Sequence, residues 1–230
     1  MISVSSHNET DRRIEAVVFD LGGVLLDWDP RHLYRKLFTD ETQMDYFLRE
    51  ICTTKWHDAH DRGVPTATSC ADLATRFPEW AELIRAWGER SEEMVAGSYE
   101  ASVDVLRDLK ITGLPCYALT NMEAETYPLR FQRFKFLSWF DGTMVSGYEG
   151  TAKPDREIFI RLLHRYDLAA ASTLMIDDRL ENLAVAKRLG MVTHHFHSAQ
   201  RLRDCLESLA LLPNGSVTRG GSACPAARPR

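Results

Sequence analysis

The sequence AVVFDLGGV occupies residues 16–24 and contains the clearest structural pattern in the chain. Its first four residues, Ala16 to Phe19, are apolar and include two valines, which is typical of a strand buried inside a sheet. Asp20 follows at the end of that strand, and Gly22 and Gly23 lie in the turn after it. Open α/β sheets bind ligands at the carboxyl ends of their strands, so this stretch predicts a parallel sheet with a site at Asp20.

Three later segments place polar residues next to predicted strands or helices in a similar way. These residues are Thr120, Asn121, Lys153, Asp177 and Asp178. Thr120 and Asn121 could simply cap a helix, and Lys153 could be a solvated residue in a first helical turn. A lysine at a helix N-terminus opposes the helix dipole, however, which favours a partner near Lys153. Asp177 and Asp178 repel each other unless a cation compensates their charge.

Short apolar strands alternate with amphipathic helices along most of the chain. The predicted strands cover residues 16–19, 116–119, 144–145, 174–176 and 192–196. Between two of them, Ile158, Phe159 and Leu162 share one face of a predicted helix, and Gly190 ends a later helix. This alternation predicts an α/β fold whose core is a Rossmann-like parallel sheet, covered by helices on both faces.

The stretch between the first strand and Thr120 is much longer than one crossover helix requires. From residue 30 to 98 the pattern is helical, which predicts a small all-helical cap domain inserted after the first strand. The Rossmann-like core is then assigned to residues 14–29 and 99–212. Residues 1–13 are polar, and residues 213–230 are rich in small residues, proline and arginine, so both ends are predicted to be disordered.

The composition agrees with a water-soluble enzyme: 44% of the 230 residues are hydrophobic. A net charge of −5 offers no basic surface for nucleic acid or an anionic membrane, so neither partner is expected. The five cysteines are widely spaced and odd in number, as in a reduced cytosolic protein. No apolar stretch approaches the roughly 20 residues of a membrane span, and the first residues lack a signal peptide's apolar core. A cytoplasmic location is therefore expected.

The order and character of these motifs resemble the haloacid dehalogenase-like (HAD) superfamily over roughly residues 14–210. The DLG start and the late acidic pair are most similar to the phosphatase branch that includes α-glucose-1-phosphate phosphatase. The resemblance implies a magnesium-dependent hydrolase of small phosphate monoesters that works through an aspartyl-phosphate. It also implies a cap that closes over a small-molecule phosphate ester, and we expect a monomer or homodimer.

The resemblance implies specific roles for four residues. Asp20 is the nucleophile, and Lys153 pairs with it and steadies the phosphoryl charge. Thr120 and Asn121, with nearby amides, bind the transferring phosphoryl group. All four belong to motifs that occur in the expected order along this chain.

The glycine turn and the acidic pair predict an anion site beside a metal site. Because Gly22 and Gly23 lack side chains, their backbone amides can approach an anion closely. Magnesium takes oxygen ligands in octahedral geometry and keeps several waters, so Asp20, the Gly22 carbonyl and Asp178 would suffice. Asp177 is the fourth predicted metal residue, binding directly or through a water.

Gly22 is the main departure from the family pattern, because most family phosphatases carry a second aspartate there. That aspartate protonates the leaving group and later activates water, a contribution of about 10²- to 10⁴-fold. One explanation is a phosphatase whose leaving group needs little protonation. A second is a metal-independent 2-haloacid dehalogenase, which needs no such proton but also lacks an acidic pair like Asp177 and Asp178. The third is a non-catalytic binder of phosphorylated ligands.

The predicted cap contains a segment, WHDAHDRG at residues 56–63, that resembles the cap loop facing the active site in similar phosphatases. We therefore predict substrate contacts for His60 and Arg62, with a loop of ordinary surface charges as the alternative. Asp27 and Asp29, between the first turn and the cap, are less favoured candidates to replace the acid that is missing at Gly22.

Two further groups of residues are ambiguous. Asn182, one helical turn after Asp178, either caps a helix or supports the metal site. His194, His195 and His197 look like a metal cluster, but only His195 and His197 share one face of a strand. No third ligand is visible at close spacing, so no metal role is predicted for the histidines.

Overall fold

A computed structural model describes residues 13–213 of the chain. Its strands are β1 (Ala16–Phe19), β2 (Leu26–Trp28), β3 (Val95–Ser98), β4 (Cys116–Thr120), β5 (Gly142–Val145), β6 (Thr173–Asp177) and β7 (Val192–His195). Its α-helices are α1 (Arg31–Tyr34), α2 (Glu41–Tyr46), α3 (Thr54–His60), α4 (Thr66–Arg76), α5 (Ala81–Glu89), α6 (Glu100–Thr112), α7 (Tyr127–Arg133), α8 (Ser146–Glu149), α9 (Arg156–Arg165), α10 (Leu180–Arg188) and α11 (Ala199–Ser208). The disorder predicted for the two ends concerns mainly residues 1–12 and 214–230, which lie outside the described range.

Five parallel strands form the central sheet in the order β5-β4-β1-β6-β7. All four residues of the middle strand, β1, are buried, as expected for a strand covered on both faces. The α/β class and the parallel sheet are thus confirmed. The bounds of β1 are as predicted, and those of the other four predicted strands differ by one or two residues, most at β5, which begins at Gly142 rather than Met144.

Two hydrophobic cores lie on opposite faces of this sheet. Successive side chains of a strand point to opposite faces, so Val17 belongs to one core and Val18 to the other. The Val17 core includes Leu202 of α11, and the Val18 core includes Ile158 and Phe159 of α9. The helical stripe predicted around residues 158–162 therefore packs on the sheet.

The segment from residue 31 to 94, here called the helical insertion, has a hydrophobic core of its own. Tyr34, Phe47, Ile84 and Trp87 are buried in it, and both predicted apolar faces, residues 44–51 and 80–87, pack there. The prediction of helix up to residue 98 was wrong, because residues 95–98 form β3. This strand pairs antiparallel with β2, so two short strands form the base of the insertion. Their pairing joins segments far apart in sequence, which local periodicity does not reveal.

Within residues 13–213, no helix has both the length and the apolar character needed to cross a membrane. The cysteines of this range, Cys52, Cys70, Cys116 and Cys205, are free thiols.

Candidate active site

The carboxyl edge of the sheet brings together residues that lie far apart in the sequence. Asp20 directly follows β1, while Thr120 ends β4 and Asp177 ends β6, the two neighbours of β1. Lys153 lies in the turn before α9, which begins at Arg156, so it precedes the helix rather than starting it as predicted. Parallel strands that share an edge thus place the four sequence motifs at one site.

Lys153 is the electrostatic centre of this site. Its Nζ lies 2.8 Å from Asp20 Oδ2 and 2.8 Å from Asp177 Oδ2. The residue is only 3% exposed, so it is not a solvated surface lysine. Burial alone lowers the pKa of Lys153, but the two carboxylates outweigh burial and raise it. The lysine therefore stays charged between its partners.

Asp177 is fully occupied by hydrogen bonds. Its Oδ2 accepts from Lys153 Nζ at 2.8 Å, and its Oδ1 accepts from the Arg179 N–H and the Asn182 side-chain amide, both at 2.9 Å. Asn182 thus contacts the acidic pair, the second of its two predicted roles. This arrangement holds Asp177 in place to orient Lys153.

Asp20 is almost completely buried, and its Oδ1 accepts a hydrogen bond of 2.7 Å from the Leu21 N–H. Burial is the largest influence on Asp20 and raises its pKa to about 7, against the opposing effect of Lys153. The charges of Asp177 and Asp178 push the pKa in the same direction as burial. Asp20 and Asp177 therefore share one lysine, and Asp178 adds a third negative charge at this edge.

Gly23 makes room for Asp178. Gly23 has a φ of +73°, and a Cβ on it would lie 2.5 Å from Asp178 Oδ2, so only glycine fits without a shift. Its N–H donates to Leu26 O at 3.0 Å, whereas the sequence interpretation directed this amide at an anion. One carboxylate oxygen from each of Asp20, Asp177 and Asp178 lies within 4.8 Å of the other two, a spacing suitable for a shared cation.

Asn121 holds the Lys153 turn against β4. Its Nδ2 donates to Lys153 O and its Oδ1 accepts from the Lys153 N–H, both at 2.8 Å. The side chain predicted to bind the phosphoryl group is therefore engaged with the protein backbone. Thr120 is buried but lines the cavity described next, as a phosphoryl-binding hydroxyl must.

A cavity of about 440 Å³ lies between this sheet edge and the helical insertion. Its polar wall contains the Asp20 cluster, and its apolar wall includes Trp28, Leu48 and Trp87. A space of this size suits a small organic ligand. A larger cavity of about 700 Å³ lies between α4, α5 and α7, and Asp20 and Lys153 do not line it.

The sequence pattern of the haloacid dehalogenase-like hydrolases matches residues 14–190, most of the chain. The protein belongs to this family. A sesquiterpene phosphatase of Aspergillus oryzae is 28% identical over 84% of this HAD-like hydrolase and 94% of its own length.

Solved structures confirm the fold of this HAD-like hydrolase. A HAD family enzyme from Bacteroides thetaiotaomicron, solved with magnesium and inorganic phosphate, matches with a TM-score of 0.62 at 22% identity, covering 82% of this chain and 98% of that one. An L-2-haloacid dehalogenase from Xanthobacter autotrophicus matches with a TM-score of 0.60 at 16% identity, covering 87% and 85%. A magnesium- and phosphate-bound enzyme and a dehalogenase thus share this fold, so the fold alone does not give the reaction.

The helical insertion of this HAD-like hydrolase presents His57 and Asp61 to the cavity, and not the predicted His60 and Arg62. His60 is completely buried, and Arg62 Nη2 donates to Asp155 Oδ2 at 2.9 Å. Most of the segment interpreted as a loop is helix α3, and residues four apart share one helical face. That spacing would have paired His57 with Asp61 had the helix been recognised.

Besides His57, the cavity residues that were not predicted from the sequence include Glu123, Trp28 and Asp61. Glu123 follows Asn121 by two positions, and Trp28 stacks on His57 with ring centroids 5.1 Å apart. Asp61 is the third, and burial with the nearby charge of Glu123 raises its pKa to about 8. Burial has the opposite effect on an imidazole and lowers the pKa of His57.

The remaining sequence candidates lie outside the cavity. Asp27 Oδ1 lies 3.0 Å from His32 Nε2, and Asp29 Oδ1 accepts from the Arg31 N–H at 2.8 Å. Both carboxylates thus contact neighbours at the base of the insertion, and neither of them lines the cavity.

The histidines after β6 also lie outside the cavity. His195 Nε2 lies 3.0 Å from the Asp178 carbonyl oxygen, and its ring centroid lies 4.1 Å from that of His197.

Proposed function

We propose that this hydrolase is a magnesium-dependent phosphatase that cleaves small phosphate monoesters through an aspartyl-phosphate on Asp20. The observation that carries the proposal is the buried Asp20 carboxylate, held by Lys153 and grouped with Asp178 at one wall of a ligand-sized cavity. A 2-haloacid dehalogenase would need the Asp20 nucleophile but not the Asp178 carboxylate beside it, since its reaction uses no metal ion.

The residues around Asp20 fit a magnesium ion. The Asp20 and Asp178 carboxylates and the Gly22 carbonyl are hard oxygen donors of the kind magnesium prefers, and Gly23 leaves space for Asp178. Asp177 is better suited to orient Lys153, because both of its oxygens already accept hydrogen bonds. When bound, magnesium would neutralise phosphate charge and polarise the phosphoryl group.

Asp20 would act as the nucleophile in two steps. A carboxylate oxygen forms a bond to phosphorus as the bond to the leaving-group oxygen breaks, which gives an acyl phosphate and an alkoxide or aryloxide that takes a proton from water. Water then attacks the phosphorus, releases inorganic phosphate and restores the Asp20 carboxylate. Lys153 and the Thr120 hydroxyl would stabilise the phosphoryl oxygens during both steps.

The substrate we propose is an organic phosphate with an apolar ester group. Trp28, Leu48 and Trp87 provide an apolar part of the cavity wall, where burial of an apolar group is favourable. The similarity to a sesquiterpene phosphatase supports this choice over a strongly polar sugar phosphate. The helical insertion supplies part of this wall and would act as the cap over the substrate.

Chelation should silence the enzyme, and added magnesium should restore it. Activity should be lost because, without a cation, the substrate's phosphate is repelled by the Asp20 and Asp178 carboxylates. The measurement is phosphate release from a panel of esters, and halide release from 2-haloacids, with chelator and with magnesium. Asp178→Asn should mimic chelation and leave the fold intact. Halide release that survives chelation would favour the dehalogenase, and phosphate binding without turnover would favour the non-catalytic binder.

Gly23→Ala should raise the magnesium concentration needed for half-maximal activity by at least about 10-fold, since its Cβ would collide with Asp178. Gly150→Ala is the matched control, because Gly150 has a similar φ of +67° but nothing within 4 Å of its Cβ. Both changes should cost about 1–2 kcal/mol of stability from backbone strain. An equal magnesium requirement in the two variants would contradict the role given to Gly23.

The rate should depend steeply on the leaving group, because Gly22 cannot protonate it. A series of aryl phosphates of graded leaving-group pKa, compared with alkyl phosphates, measures this slope. Gly22→Asp should accelerate alkyl esters most, by up to about 10²-fold, and the space around a Gly22 Cβ is open. A flat slope would show that another residue supplies the proton.

A further inference from the structure

A second group of metal-binding side chains lies outside the Asp20 cluster, where the helical insertion meets the sheet. His57 and His60 belong to α3 of the insertion, and Glu123 follows β4 of the core. One candidate ligand atom from each residue lies within 4.8 Å of the other two. Spacing of three along a helix places both histidines on the same side of α3.

The two imidazoles face one carboxylate oxygen with a gap between them. His57 Nδ1 and His60 Nδ1 each lie 3.7 Å from Glu123 Oε1. Hydrogen bonds of this type measure about 2.7–3.2 Å, so these contacts are too long. Within the described part of the chain, both nitrogens are buried and have no hydrogen-bond partner. Buried polar atoms are normally satisfied, so two orphaned nitrogens aimed at one oxygen require an explanation.

We propose that His57, His60 and Glu123 bind a divalent transition-metal ion, for which zinc is the best fit. Two imidazole nitrogens and one carboxylate oxygen form an established zinc ligand set that leaves a fourth position open. Tetrahedral ligands bound at about 2.0–2.1 Å lie about 3.3 Å apart. The observed 3.7 Å separations therefore need to contract by only a few tenths of an ångström.

Asp61 is placed to orient one of these ligands. Its Oδ2 lies 3.8 Å from His57 Nε2, while the other ring nitrogen of His57 faces Glu123. A carboxylate behind a metal-bound histidine commonly fixes the ring in this way. Imidazole ligands suit zinc, whereas magnesium prefers oxygen, so this site and the Asp20 cluster should take different ions.

The ion would connect the helical insertion to the core. His57 and His60 come from one part and Glu123 from the other, so binding would hold α3 against the sheet edge. Both His57 and Glu123 also line the 440 Å³ cavity, so the proposed site borders the ligand space. Because an ion that binds only the folded protein stabilises it, zinc should raise the unfolding temperature.

The test is a zinc titration of the metal-stripped protein in excess magnesium, read by competition with a chromogenic chelator. One zinc ion should bind per chain, and His60→Asn and Glu123→Gln should each weaken its affinity by at least about 100-fold. Asp61→Asn should weaken it by about 10-fold. Cobalt should occupy the same site and give a visible absorption band that His60→Asn abolishes.

Two control variants separate this site from its neighbours. Asp178→Asn removes a proposed magnesium ligand, and His197→Asn disrupts the His195–His197 pair, so both should bind zinc like the unchanged protein. Circular dichroism without metal checks that each variant folds, and His57→Gln replaces His60→Asn if that buried change prevents folding. Unchanged affinity in the folded ligand variants, or no bound zinc, would overturn the proposal. Because magnesium-dependent turnover is measured separately, either result is independent of the proposed phosphatase activity.

Discussion

Replacing Asp20 with asparagine should abolish turnover, with a loss of at least about 10⁴-fold in kcat. The Asp20 carboxylate forms the covalent bond to phosphorus in the proposed mechanism, and an amide is a far weaker nucleophile. Steady-state phosphate release on the best ester of the panel measures the loss. A fresh preparation, checked by mass spectrometry, excludes deamidation back to aspartate.

The fold should tolerate Asp20→Asn, because an amide oxygen can still accept the 2.7 Å hydrogen bond from the Leu21 N–H. Asp27→Asn is the matched control, since Asp27 lies nearby in the chain but does not line the cavity. It should keep most of its activity. More than a few per cent of activity in Asp20→Asn would exclude both the phosphatase and the dehalogenase mechanism.

The second large effect concerns stability. Lys153→Met should lower the free energy of unfolding by about 3–5 kcal/mol, because it leaves two buried carboxylates without their shared cation. Both Nζ contacts measure 2.8 Å, and Asp177 is completely buried. Urea unfolding without magnesium, followed by circular dichroism, measures the change. Turnover should also be lost, because Lys153 contacts the nucleophile.

Two comparisons isolate the effect of the buried charge. The double variant Lys153→Met with Asp177→Asn should recover part of the lost stability, since one uncompensated carboxylate is removed. Lys36→Met breaks a 2.8 Å pair with Glu93 at a site where the lysine is 53% exposed, so it should cost at most about 1 kcal/mol. Equal losses in Lys36→Met and Lys153→Met would show that burial does not set the cost.

Residues close to strand ends were predicted best from the sequence. The motif around Asp20 is local: an apolar strand, a carboxylate and a glycine turn have to be neighbours in the chain. The same holds for Thr120 and Asp177, whose strands are short apolar runs with recognisable ends. Shared strand direction then implies their proximity, because parallel strands end at one edge.

Contacts with distant partners were not predicted from the sequence. Asn121 was predicted to bind the phosphoryl group, but its side chain makes two hydrogen bonds to the backbone of Lys153, 32 residues later in the chain. The Gly23 amide was predicted to approach an anion. In the structure, the lack of a Cβ at Gly23 matters because the Asp178 side chain lies against it. Neither partner follows from local sequence, since such contacts form only when distant segments pack.

By itself, the sequence determined the α/β class, the position of Asp20 at the end of the first strand and the helical character of most of the insertion, because strand and helix periodicity is a local property. Tertiary structure alone decided that residues 95–98 form a strand with β2. It also decided that His57 and Asp61, rather than His60 and Arg62, line the cavity beside Glu123. The rotation of α3 determines which of its side chains meet the sheet edge, and packing of the insertion on the core sets that rotation.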